Sequence, residues 1–221
     1  MIPLGRRQLR SACSEPLHCG QVVGLRVVEG VVDPEVRANE RLTVLAGILL
    51  LVLLAAMLLT VTSVRRLLFE HFFLGLLLLP PIGLKMASTG WRFARYYMGD
   101  KKYRAAGPPV LWMRLLAPVV VVATIALFAS GVELWAFGLR FGSGWVEIHK
   151  LSFAVWWPAV GLHVLGKLGQ TLRGAKEELV SAPDHSALSR RSLVVASLVA
   201  GAALALASLS YASPFIFFRD G

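Results

Sequence analysis

Five long apolar runs, at about 42–64, 67–88, 115–139, 147–168 and 192–218, constrain this chain more than any other feature. Each is long enough to cross a hydrocarbon layer, for which about 20 apolar residues suffice. They are continuous runs rather than amphipathic stripes, so no separate water-soluble core is expected. The chain is 56% hydrophobic and 16% charged, with a mean hydropathy of +0.65. A backbone inside lipid must satisfy its own polar groups, which makes helices the expected form of every run. The expected fold is therefore all-α: a polytopic membrane protein with five transmembrane helices (residues 42–218) behind a polar N-terminal segment (residues 1–41).

Charge sets the expected orientation. The 23 Lys and Arg outnumber the 13 Asp and Glu, for a net charge of +10. A basic balance is also a footprint of nucleic-acid binding. Here the bases gather in particular connecting segments, which membrane orientation explains better, so no nucleic-acid partner is expected. Residues 1–41 carry six basic residues, 90–114 six and 167–191 five, against five in the alternate segments. By the preference of Lys and Arg for the cytoplasmic side, the N-terminus lies inside and the C-terminus outside. Trp91, Tyr96, Tyr97, Tyr103 and Trp112 among the bases of 90–114 read as an interfacial belt on anionic lipid. The expected setting is the cytoplasmic membrane.

The N-terminal segment carries Cys13 and Cys19 with His18 between them. Their spacing is neither a redox pair of the usual kind nor a covalent haem attachment motif. An alternating apolar stretch, from Val22 to Val32, would make a small strand pair or stay loosely ordered, and Asp33-Pro34 ends it. No activity is assigned to this segment, nor to His185 in the last polar loop.

The chemistry-bearing residues lie in the second and fourth runs. In the fourth, His149 and His163 are fourteen residues apart. At about 100° and 1.5 Å per residue they share a helix face to within ~40° and stand about 21 Å apart. Ionisable groups inside a membrane are costly and point to function. Imidazoles at both depths of one helix suit axial ligation of haem. The second run opens with Glu70 and His71, contains Pro80-Pro81, and carries Lys85 fourteen residues after His71, followed by Met86. Runs two and four cross in the same direction, so His71 and His149 share the outer level and would bracket one haem. His163 shares the inner level with Lys85, where a second haem would need Lys85 or Met86 as its other ligand, or would be five-coordinate. Lys85 also reads as a snorkelling interfacial lysine. Gly75, one turn after His71, leaves space for a flat macrocycle or for close helix packing. Glu70 and Glu133 read as interfacial carboxylates, with proton exchange at a quinone site as the alternative. Gly201 and Ala205 in the fifth run have the small-xxx-small spacing of tight helix contact.

These residues resemble the membrane-integral b-type cytochromes, in which histidines on a bundle of about four helices hold non-covalent haem. The stretches HFFLGLLLLPPIGLKMASTGWRFARYY and HKLSFAVWWPAVGLHVLGKL look like actinobacterial cytochrome b-like membrane proteins, over residues 67–168. The resemblance implies a four-helix haem-binding bundle with His71, His149 and His163 as iron ligands. It implies one or two haems b and electron transfer within or across the membrane. Lys85 departs from the respiratory di-haem pattern, which has histidine there. The expected partners are the lipid bilayer, a redox protein or quinone, and a larger membrane complex. The chain is expected to be an electron-transfer subunit rather than a stand-alone enzyme. Two other classes remain open from sequence: a haem-free anchor subunit, and a proton or metal transporter.

Overall fold

The computed structural model describes residues 33–107, 110–180, 186–211 and 213–217. The expected strand pair, the two cysteines, His18 and His185 lie outside the described residues. Among those described, all regular structure is helical, and five helices are long and apolar enough to cross a membrane.

The first helix, α1, spans Pro34–Val61. It begins eight residues before the apolar run because Asp33 caps it. The Asp33 carboxylate accepts from the Glu35 amide at 2.9 Å, and proline at the first position leaves no amide to satisfy. The second, α2, spans Leu68–Tyr97, well past the apolar run's end at 88. Its extension is tied to the start of α1: Arg92 meets Glu40 at 2.9 Å, and Arg95 lies 3.9 Å from Glu35. A short α3 (Lys101–Ala105) follows, capped by Asp100. Lys102 lies 3.3 Å from Asp33 and 3.2 Å from Glu35. Hydrogen bonds that it donates to Glu35 and Asp33 hold its ammonium above the ordinary lysine value. Helix α4 spans Leu111–Phe137 and α5 spans Gly144–Val180. The polar loop expected from residue 167 is thus helical as far as 180.

The last apolar run is not one continuous helix. Helix α6 ends at Ala207, a 3-10 turn covers Ser208–Ser210, and a short α7 covers Pro214–Phe217. Pro214 has no amide to continue a helix.

Helices α1, α2, α4 and α5 make the bundle. The α1–α2 and α4–α5 pairs are joined through α1–α5 and α2–α4 contacts, and α6 packs outside on α2 and α1. Many apolar side chains of the spans are exposed, among them Val52, Leu115, Leu165 and Leu204. In a bilayer these face lipid, where exposure carries no hydrophobic cost.

Two glycines set the closest approaches. Pro80 and Pro81 lie inside α2 and lack amide hydrogens, which frees the carbonyls of Leu76 and Leu77. The freed Leu77 oxygen lies directly against Gly201 of α6, where any Cβ would collide with it. Gly201 and Ala205 are both buried, as their spacing predicts. On α5, the space beside Gly166 is filled by Trp112 and Met113 of α4.

Candidate functional site

His71 opens α2 and His149 opens α5, and the bundle brings them together at one end. Their ring centroids are 6.2 Å apart and their planes meet at 85°. Each Nδ1 is held by a neighbouring helix. Thr60, in the last turn of α1, donates its hydroxyl hydrogen to the Met57 carbonyl at 2.7 Å. Its oxygen is therefore left to accept from His71 Nδ1–H at 3.0 Å. Across the bundle, His149 Nδ1 lies 3.0 Å from the Leu127 carbonyl and 3.1 Å from Ser130 Oγ. A carbonyl only accepts, so Nδ1 of His149 carries the proton. Ser130 sends its own hydrogen to the Ala126 carbonyl at 2.7 Å. In both rings the proton sits on Nδ1 and the lone pair on Nε2, the state in which imidazole binds a metal.

The spacing suits a single metal between the rings. A metal–nitrogen bond of about 2 Å on each side, plus a ring radius of about 1 Å, puts two trans imidazole centres about 6 Å apart. Small residues make the room. A Cβ at Gly131 would lie 3.2 Å from His149 Cε1, whereas Gly75 has only Met57 Cε nearby, at 3.8 Å. Both glycines border a cavity of about 470 Å³, with His71 and His149 in its wall, a size usual for small-ligand sites. Phe72, Phe128, Trp135, Phe153, Trp156 and Phe215 supply aromatic lining. Trp156 is fixed by donating from Nε1 to Thr124 Oγ1 at 2.9 Å.

The C-terminal segment closes over this end. Tyr211 donates to the Ala136 carbonyl at 2.5 Å and Ser213 to the Trp135 carbonyl at 2.7 Å. Phe215 meets Phe72 edge to face at 5.9 Å. Pro214 lies against Gly138, where φ is 60° and an added Cβ would come within 3.0 Å. Glycine is required there on both counts.

The other expected residues stand apart from this pair. Lys85 donates its ammonium to the Thr43 carbonyl of α1 at 2.5 Å, and a Cβ on Gly47 would be 3.1 Å from Nζ. Around it, Thr43 donates to the Asn39 carbonyl at 2.8 Å and Asn39 donates to the Ser88 carbonyl at 3.1 Å. Lys85 is thus anchored between two helices. His163 lies within electrostatic reach of Lys85 and Lys167, and its Nδ1 has no hydrogen-bond partner. Its neighbouring glycine gap, at Gly166, is filled. Glu70 is exposed. Both Glu133 oxygens lack hydrogen-bond partners, and Glu133 does not line the cavity. Among the described residues no three His, Cys, Asp or Glu side chains converge as a metal site; the arrangement is a two-imidazole one.

Thr60, Ser130, the Leu127 carbonyl and Phe215 are parts of the site that the sequence reading passes over. A small hydroxyl inside the apolar run of α4 was the available signal for Ser130, and Pro214 was the signal for the strap.

Fold and site together define a class: an all-helical, multi-pass membrane protein with a histidine-bordered apolar cavity at one end of a four-helix bundle. The chain matches no family model, no curated protein and no solved structure.

Proposed function

We propose that this protein is a membrane b-type cytochrome that holds one haem between His71 and His149 and carries electrons as a subunit of a redox complex. The observation that carries this reading is the adjacent pair of imidazoles, 6.2 Å apart at their centroids with planes at 85°, each with Nδ1–H engaged and Nε2 left as the ligand. A bound haem would supply a one-electron couple, tuned by its axial ligands and by burial.

The chain's own residues do the rest. His71 and His149 provide the two nitrogen donors from parallel helices. Thr60 and Leu127 fix the tautomer and the ring planes, which such outer partners do for metal-bound histidine generally. Gly75 and Gly131 leave flat space beside the rings. The aromatic walls and the Phe215 strap exclude water and keep the local dielectric low. No proton need move in this scheme: neither imidazole changes its protonation when an electron arrives.

The reading favours one haem over two. At the level of His163, the Gly166 gap is occupied by Trp112 and Met113, and the Lys85 ammonium is committed to Thr43. The basic segments at that end support placing it on the cytoplasmic side of the cytoplasmic membrane. An electron donor or acceptor, protein or quinone, would then approach the His71/His149 end from the outer side.

The test is a reduced-minus-oxidised visible spectrum of protein purified in detergent. His71→Ala and His149→Ala should each abolish the b-type α-band, and His163→Ala should retain it. An unchanged band in both of the first two variants would overturn the pairing.

A further inference from the structure

The wall of the cavity has an unequal distribution of charge. Its ionisable members are Arg65, His71, His149 and Lys150, with no carboxylate among the lining residues. The two histidines are engaged at Nδ1, as described. The two permanent cations sit at the ends of the elements that frame the site. Arg65 lies in the turn between α1 and α2, and Lys150 follows His149 on the first turns of α5. Both are exposed, so they lie where the cavity meets the membrane surface. Everything else bordering the cavity is apolar or glycine.

Neither cation is firmly committed. The Arg65 guanidinium has no hydrogen bond or ion pair among the described residues. Lys150 meets only Glu147, at 3.0 Å, in a pair whose side chains are 66% and 72% exposed. An exposed pair of that kind on one helix is worth little, and a ligand anion at the mouth would compete with it. An apolar, aromatic-walled interior with two cations and no carboxylate among its lining residues selects an amphiphile: apolar body inside, acidic groups at the opening.

From this juxtaposition we infer that Arg65 and Lys150 form an anion clamp for the carboxylates of the ligand held between His71 and His149. The inference rests on the haem reading above and assigns the propionate-bearing edge of that haem to the α1–α2 turn and the start of α5. Arg65 and Lys150 are positioning residues: they fix which edge of the macrocycle faces out and add positive charge near it. Arg65 presents a planar fork suited to a carboxylate, and Lys150 presents a compact charge on a flexible stem.

The test uses the full chain, stripped of haem and reconstituted in detergent with two probes: free-acid haem and its dimethyl ester, which cannot ionise. Wild-type protein should bind the free acid about five- to tenfold more tightly than the ester, the range expected for one or two exposed ion pairs. In Arg65→Gln/Lys150→Gln that preference should disappear, with affinity for the ester unchanged and the b-type α-band retained. The double variant should also show a lower reduction potential, because positive charge near the macrocycle favours the reduced form. Arg65→Lys should restore part of the preference. A double variant that keeps the wild-type preference and potential would overturn the clamp while leaving the haem site standing. Wild-type protein that binds neither probe would overturn both.

Discussion

Thr60 and the Leu127 carbonyl decide how the two histidines can act. A histidine alone in an apolar cavity can carry its proton on either nitrogen, and only one tautomer leaves Nε2 free. Thr60 accepts from His71 only because its own hydrogen goes to Met57. Thr60→Val should therefore loosen His71 without removing it. Haem affinity should fall about tenfold, within the range known for lost partners of metal-bound histidine, and Thr60→Ser should restore it. Haem titration of the apoprotein measures both. Lys85→Met tests the opposite end. Lys85 hydrogen-bonds a backbone carbonyl, so the variant should keep its α-band and haem content; loss of the band would make Lys85 a ligand. The positions of His71 and His149 were legible because equal depth on parallel helices follows from topology alone. The roles of Thr60 and Ser130 were not, since which hydroxyl meets which ring depends on how neighbouring helices rotate about their axes. Lys85 read as an interfacial or ligating amine because nothing in one dimension shows that Thr43 of another helix lies beside it.

At the level of elements, hydropathy located all five spans but started the first, third, fourth and fifth late and ended the second and fourth early. It registers only the part of a helix that lies in lipid. Helix α5 has 37 residues, about 55 Å at 1.5 Å per residue, against a hydrocarbon core of about 30 Å. The surplus is polar and reads as loop. Helices α1 and α2 are likewise extended by ion pairs such as Arg92–Glu40, whose partners are 52 positions apart in the chain and carry no local signal. The small-residue spacing on α6 was legible, and the structure adds its reason. The two prolines of α2 expose a carbonyl that only glycine can approach. Gly201→Leu should push α6 away from α2, at a cost of about 1–3 kcal/mol, as for other overpacked positions. Thermal unfolding in detergent should show the lowered midpoint, with the α-band kept below the transition because α6 does not border the cavity. The last span was read too long because Pro214 was counted within an apolar run.

For the whole molecule, the C-terminal strap adds Phe215 to the wall of the cavity at the His71/His149 end. It is held by Tyr211, Ser213 and the Phe72–Phe215 contact. Ending the chain after Ser210 should leave the five spans folded and speed haem loss several-fold. Transfer to an excess of a haem-scavenging apoprotein would follow that rate; an unchanged rate would show that the strap does not retain the ligand. The bundle then has two unlike ends. One holds adjacent imidazoles and a cavity with two cations among its lining residues. The other is knitted by ion pairs and by the Asn39, Thr43, Lys85 and Ser88 hydrogen bonds, with its glycine gap filled.

The central claim is one haem between His71 and His149. Its most direct test is a dithionite-reduced minus air-oxidised spectrum of the purified chain, made with haem in ample supply, together with a pyridine haemochrome assay. The account predicts a sharp b-type α-band and one haem per chain, a ratio unchanged in His163→Ala. A flat spectrum would contradict it outright, and a ratio of two would contradict the single-site reading.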